Sequence, residues 1–123
     1  MDQNKFIRSD GWLLFTLSRK YQNLQTIISA GDHYNHSVFT YDELNQGMLR
    51  LLQNGYAEQF DKKFRITDKG KELIMKHLLS DSISDMIHLS DIIVSMESEI
   101  ELDYSKPVIS VIEYDIAIKK YMR

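Results

Sequence analysis

The spacing of apolar residues in the first third of the chain predicts two neighbouring helices. The first begins at Ser9 or Asp10 and extends through Lys20, and its apolar stripe consists of Leu13, Leu14, Leu17 and Tyr21. Trp12 and Phe15 lie off that stripe, which predicts that this helix is buried on more than one side. Asn23 is a typical helix cap, and the second helix then places Leu24, Ile27, Ile28 and Gly31 on one face.

A third helix is predicted from Thr40 to Asn54. Thr40 and Glu43 have the spacing of a capping box, in which each side chain accepts a hydrogen bond from the other residue's backbone. The predicted core face is Tyr41, Leu44, Met48, Leu51 and Leu52, and the predicted outer face is Asp42, Gln46, Arg50 and Gln53. Gly47 costs up to about 1 kcal/mol relative to alanine in a helix. It is therefore either at a close helix crossing or an incidental surface glycine.

Two short strand-compatible runs follow the third helix. Residues 56–60 and 64–66 flank the polar sequence Asp61-Lys62-Lys63, which predicts a two-stranded hairpin with a solvated tip. Thr67 and Asp68 then supply the cap and the acidic first turn of a fourth helix that extends to about Leu79.

The remaining residues form a C-terminal extension, 80–123, after a first unit of residues 1–79. Between residues 82 and 100 the apolar positions cover about half a helical circumference, so this segment must bury against something. The sequence VISVIEYDIAI after Pro107 fits a strand as well as a helix. We favour a helix with Pro107 in its first turn.

Charge is distributed unevenly over a chain whose net charge is −3. Residues 62–71 contain five basic side chains and one acidic one, whereas residues 78–123 contain four basic and nine acidic side chains. The chain therefore combines a compact basic patch with an acidic extension.

Composition excludes several classes of function. The absence of cysteine removes disulfides, thiolate catalysis and zinc fingers, and it favours a cytoplasmic location. No apolar run approaches the roughly 20 residues of a membrane span, and no signal peptide is recognisable. The sequence has neither a phosphate-binding glycine loop nor a recognisable catalytic triad, so we predict no enzyme activity and no cofactor.

The strongest resemblance comes from residues in the third helix, the hairpin and the fourth helix. These residues are Leu44, Met48, Leu51, Gly55, Tyr56, Glu58, Phe64, Ile66, Thr67, Gly70 and Leu73. Over roughly residues 10–79 the chain resembles the winged helix-turn-helix family of bacterial transcriptional regulators. The resemblance implies a mainly α fold with a small β wing, a recognition helix at 40–54 and a wing at 56–66.

The same resemblance implies binding to double-stranded DNA. The implied contact residues are Thr40, Tyr41, Asn45, Gln46, Arg50, Lys62, Lys63 and Arg65. Asparagine and glutamine amides can address adenine, an arginine can reach guanine or phosphate, and the wing cations would contact phosphates. Tyr41 also fits the core face, and Asp42 and Glu43 would be repelled by DNA.

Two further expectations concern partners. The extension at 80–123 would pair two subunits, so that two recognition helices address a two-fold site. The alternative is a winged helix used for protein–protein interaction without DNA binding, which the acidic residues at the start of the third helix favour.

Asp32, His33 and His36 have spacings that could place them around a metal ion. The favoured alternative is that Asp32 and His36 bond backbone groups where the second helix ends. We therefore predict no metal site.

Overall fold

The computed structural model describes residues 6–78 and 102–122, with the side chains of 6–75 and 102–122. The helices are α1 (Arg8–Thr16), α2 (Leu24–Asn35), α3 (Tyr41–Gln53), α4 (Asp68–Leu78) and α5 (Val111–Tyr121). The strands are β1 (Ala57–Phe60) and β2 (Lys63–Ile66). Within these residues the protein is mainly helical with a small antiparallel sheet, which confirms the predicted order of three helices, a hairpin and a fourth helix. The predicted span 82–100 lies outside the described residues.

Local capping signals explain where α2, α3 and α5 begin. The Asn23 side chain accepts a hydrogen bond from the Thr26 N–H at 2.9 Å, as predicted. The capping box of α3 is confirmed, because the Glu43 N–H donates to Thr40 Oγ1 and the Thr40 N–H donates to Glu43 Oε1. α5 is a helix as favoured, but its cap is Ser110, so the predicted place of Pro107 in its first turn is wrong.

Helix α1 is shorter than predicted at its C-terminal end. It stops at Thr16 instead of Lys20, and Leu17 has extended backbone angles. The reason is tertiary pairing: the Ser18 carbonyl accepts from the Ile66 N–H at 2.9 Å, and Gln22 forms reciprocal backbone bonds with Phe64. Because these residues pair with the hairpin, they cannot continue a helix.

The core lies where α1, α2 and α3 meet the hairpin and the C-terminal residues. Its members include Leu13, Leu14, Ile27, Ile28, Leu44, Met48, Leu51, Phe64, Ile66, Ile109 and Ala117. Trp12 is also buried, because its ring stacks on Phe39 at 3.7 Å and its Nε1–H donates to the Gly31 carbonyl. The prediction that α1 is buried on more than one side is confirmed.

Gly47 lies where α3 crosses α1, so the predicted close helix crossing is found and Gly47 is not an incidental surface glycine. A Cβ at this position would lie 3.0 Å from Asp10 Oδ1 and 3.2 Å from Leu13 Cδ2. A larger side chain would therefore separate the two helices. This crossing brings Asp10 close to α3.

The hairpin pairs Ala57 with Ile66 and Phe60 with Lys63. Asp61 and Lys62 form the turn, and Asp61 has a positive φ of 57°. The strands therefore differ slightly from prediction, since Lys63 belongs to β2 and Tyr56 precedes β1. No helix within the described ranges is long and apolar enough to cross a membrane.

Helix α5 is attached to α2 and to the start of α3 by two tyrosine hydroxyls. Tyr114 donates to the Phe39 carbonyl at 2.6 Å, and Tyr121 donates to the Asp32 carboxylate. The pKa of Tyr114 is raised by burial and by the nearby charges of Asp115 and Glu43. The pKa of Tyr121 is raised first by its hydrogen bond to Asp32.

These raised pKa values predict a loss of stability at alkaline pH. The folded protein holds both phenols protonated more strongly than the unfolded chain, whose tyrosines titrate near pH 10. The stabilisation is therefore complete below about pH 10 and is lost as the pH rises through the higher folded values. Urea unfolding between pH 8 and pH 11 should show this decline. A Tyr114→Phe/Tyr121→Phe variant should decline less steeply, and an equally steep decline would contradict the assignment.

Candidate functional site: the outer face of α3 and the hairpin tip

The hairpin tip presents two exposed cations. Lys62 lies in the turn and Lys63 begins β2, and both side chains are exposed. Among the described residues neither of them takes part in an ion pair. They are therefore available for an anionic partner, as the sequence predicted for this tip.

Arg65 is placed differently from the lysines. It lies opposite Glu58 in the strand register and forms an ion pair with it, while its guanidinium lies 4.4 Å from the centre of the Tyr21 ring. The hydrogen bond to Glu58 is the main reason that the pKa of Arg65 is raised. Arg65 thus stacks against the base of the hairpin, with its charge already paired.

Another cation of the predicted basic patch is also engaged. Lys69 Nζ donates to the Asn54 carbonyl at 2.7 Å and lies 4.5 Å from the centre of the Tyr56 ring. Asp68, the acidic residue within the patch, pairs with Arg19. The free positive charge is therefore more localised at the tip than the sequence count suggested.

Arg50 contradicts the prediction that it lies on the outer face of α3. Its side chain is 7% exposed, and Nε and Nη2 donate to the two carboxylate oxygens of Asp10 at 2.8 and 3.0 Å. Nη1 also donates to the Tyr104 hydroxyl at 3.3 Å. Burial by itself would lower the pKa of Arg50, but the hydrogen bonds and the charge of Asp10 raise it. The prediction is wrong because the α1 crossing supplies a buried carboxylate.

A stretch of the C-terminal region lies along the side of α3 that carries Tyr41, Asn45 and Gln53. We call residues 103–109 the cover segment. Near the start of α3, Asn45 Oδ1 accepts from the N–H groups of Val108 and Ile109 at 2.8 and 2.9 Å. The Tyr41 hydroxyl donates to the Ile109 carbonyl at 2.7 Å. Two of the predicted DNA contacts, Tyr41 and Asn45, thus bind the chain's own backbone.

The other end of the cover segment is attached to the end of α3. Gln53 Nε2 donates to the Asp103 carbonyl at 2.8 Å, and the Asp103 N–H donates back to Gln53 Oε1 at 2.9 Å. The segment therefore runs antiparallel to α3, from Gln53 towards Tyr41. Leu49, which lies between these attachments along the helix, is only 3% exposed.

The remaining predicted contacts divide into two groups. Gln46 is exposed on α3. Thr40 is exposed too, but its hydroxyl is used in the capping box. Asp42 is exposed beside them, so an acidic side chain interrupts the surface between the start of α3 and its outer face. Gln46, Lys62 and Lys63 are thus accessible to a partner. The side chains of Tyr41, Asn45 and Arg50 instead form hydrogen bonds within the chain.

The sequence did not predict which groups of the same chain bind the polar side chains of α3. The sequence indicates Asp10 only as a local helix cap and Gln53 only as a residue of the outer face. No pattern in it points to Tyr104. Asn45 and Gln53 are eight residues apart in a helix, which places two amides along one side. This spacing is the feature of the sequence that indicates a segment of chain bound along α3.

The histidines near the end of α2 do not assemble a metal site. His36 has left-handed backbone angles, and its N–H donates to the Asp32 carbonyl at 2.7 Å, so the helix-end alternative holds for His36 but not for the Asp32 side chain. The Asp32 carboxylate instead accepts from Tyr121. Within the described residues, no three histidine or acidic side chains are grouped to hold a metal ion.

A mainly helical fold with a small sheet supports many unrelated functions, so the architecture alone does not assign a family. No protein-family model matches the chain, and no match is found among curated proteins or solved structures.

Proposed function

We propose that the protein is a DNA-binding regulator with a winged-helix fold, in which α3 is the recognition helix and the β1–β2 hairpin is the wing. The observation that carries the proposal is the pair of exposed lysines, Lys62 and Lys63, at the tip of a hairpin that is fixed to the core. The fixing contact is the reciprocal backbone pairing between Gln22 and Phe64.

In this proposal the wing supplies affinity, and α3 supplies the contacts to bases. Lysines at the wing tip neutralise phosphates and release counterions, which favours binding to any duplex sequence. Gln46 is the accessible amide on α3, and it has the donor and acceptor geometry to pair with adenine. Arg50 has a structural role here, since its guanidinium is committed to Asp10.

Pairing of two subunits is part of the same proposal. Helix α5 carries apolar side chains on its exposed side, with Ile112 71% and Ile116 50% exposed. Burying such residues between subunits would be favourable and would place two wings on one duplex.

A second candidate, a winged helix used for protein contact, is favoured by a different observation. Tyr41, Asn45 and Gln53 bind polypeptide backbone, not bases. Asp42, exposed near the start of α3, opposes an approaching phosphate. This candidate predicts no salt-dependent binding to duplex DNA.

Fluorescence anisotropy with a mixed-sequence duplex distinguishes the two functions. The parent chain should bind at low salt, and Lys62→Gln/Lys63→Gln should weaken binding by about tenfold. Each lost phosphate contact should reduce the slope of log affinity against log salt by about 1.

The matched control is Arg8→Gln/Lys119→Gln, which removes two exposed positive charges that lie outside the hairpin, on α1 and α5. It should change affinity much less. An absence of binding, or an equal loss in both variants, would remove the support for a DNA-binding wing.

A further inference from the structure

We infer that the cover segment is an autoinhibitory element, which must leave α3 before that helix can enter a major groove. The inference rests on the proposed DNA-binding function and adds a closed state to it. It is carried by the hydrogen bonds that fix residues 103–109 at both ends of α3.

The dimensions of the duplex make the two contacts mutually exclusive. An α-helix with its side chains is about 10–12 Å across, and the major groove of B-DNA is about 12 Å wide. A second backbone packed along the helix adds a layer of about 5 Å, the distance that also separates neighbouring hydrogen-bonded strands. With the cover segment in place, α3 is too wide for the groove.

The hydrogen bonds that hold the cover segment can be exchanged for hydrogen bonds to water or DNA. Gln53 offers the segment the same amide groups that pair with base edges or phosphates, and Asn45 Oδ1 keeps the N–H of the fixed Ile109, so release onto DNA would leave neither amide unsatisfied. The central residues of the segment, Ser105, Lys106 and Pro107, are exposed.

The segment also has a fixed end about which it can move. Ile109 is 1% exposed and belongs to the hydrophobic core, and Ser110 caps α5 directly after it. Val108 packs partly against the same core, so residues 103–107 can leave α3 freely and Val108 leaves with the loss of that contact, while α5 remains packed on α2. The bond from Arg50 Nη1 to the Tyr104 hydroxyl, at 3.3 Å, is longer than the bonds at Asp103, Val108 and Ile109. When it breaks, Arg50 stays paired with Asp10.

A release variant of the full chain tests this inference. Asp103→Pro/Val108→Pro removes two N–H groups that donate to Gln53 and Asn45, and it changes no residue of α3. In the parent most molecules are in the closed state. The release variant has a larger fraction of molecules with α3 uncovered, so its duplex binding should be about tenfold tighter. Gln46→Ala should then weaken binding more strongly in the release variant than in the parent. Asp103→Asn, which removes the same negative charge but keeps the N–H group that donates to Gln53, is the control.

A reversible lock tests the inference in the opposite direction, because it holds the cover segment on α3. The chain has no cysteine, so in Gln53→Cys/Asp103→Cys only these two positions react with a cleavable bis-maleimide linker. The linked protein should bind duplex through the wing only, and cleavage of the linker should restore the tighter binding.

The outcomes separate this inference from the proposed function. If the parent, the release variant and the linked protein bind equally and all depend on Lys62 and Lys63, the cover segment is purely structural and the DNA-binding wing stands. Weaker binding by the release variant, with the linker having no effect, also overturns the inference. If none of the proteins binds duplex, both the inference and the proposed function are overturned.

Discussion

Replacing Arg50 by methionine is expected to lower the free energy of unfolding by about 3–5 kcal/mol, the typical cost of removing one partner from a buried ion pair. Asp10 is fully buried and accepts two hydrogen bonds from Arg50, so the variant leaves a carboxylate in the core without a countercharge. By comparison, removing one partner of an exposed pair typically costs about 0–1 kcal/mol.

Urea unfolding followed by circular dichroism measures this loss. Arg19→Met is the control, because it removes the exposed ion pair with Asp68. In the double variant Asp10→Leu/Arg50→Met, most of the loss should be recovered, since no unpaired charge stays buried. A residual cost of about 1 kcal/mol is expected, because Asp10 also accepts a hydrogen bond from the Ile7 N–H. Equal losses in Arg50→Met and Arg19→Met would contradict the assigned role.

The same variant separates the two roles considered for Arg50. A side chain that read guanine would change DNA affinity without changing stability, as exposed recognition residues do. A side chain that joins α1 to α3 would change stability first. The bidentate contact with Asp10 and the 7% exposure of the side chain favour the second role.

Local signals in the sequence were sufficient to place most of the elements. The cap at Asn23, the capping box at Thr40 and Glu43, and the turn at Asp61 and Lys62 each involve residues at most three positions apart. Such signals act within one turn of backbone, and for this reason they can be read from sequence. The confirmed order of helices and hairpin follows from them.

The errors lie where distant parts of the chain meet. Arg50 is paired with a residue 40 positions away, and Tyr41 binds a carbonyl 68 positions away. A helical wheel assumes one buried side, but α3 is covered on its second side by the C-terminal region. The wheel therefore presents polar residues on that side as possible DNA contacts. In the structure several of them form hydrogen bonds within the chain.

The premature end of α1 has a related cause. The sequence predicts that the helix continues after Leu17 to Lys20, because no proline or glycine interrupts these residues. Their backbone groups are instead taken by the hairpin, through Ser18 and Gln22. Helix propensity is a weak preference that such tertiary hydrogen bonds override.

Gly70, part of the motif that led to the winged-helix resemblance, provides a second test with a large expected effect. Gly70→Ala should destabilise the protein by about 1–3 kcal/mol, the usual range for overpacking. In an unconstrained helix the same change would be favourable by up to about 1 kcal/mol, so the sign of the effect is informative.

The reason for the expected loss is the space around Gly70 at the start of α4. A Cβ there would lie 2.5 Å from the Tyr56 carbonyl oxygen and 2.7 Å from Ile66 Cγ1. The carbonyl cannot move freely, because it accepts a hydrogen bond from the Thr67 N–H at 3.0 Å. The extra methyl group therefore pushes α4 away from the base of the hairpin.

Glu72→Ala is the matched control, because Glu72 is exposed on the same helix. Its effect on the free energy of unfolding should stay within about 0.5 kcal/mol. Both variants are measured by urea unfolding, and amide hydrogen exchange in β2 should increase in Gly70→Ala, since this strand ends at Ile66. If Gly70→Ala proves as stable as the control, the close packing of α4 on the hairpin is not what this glycine provides.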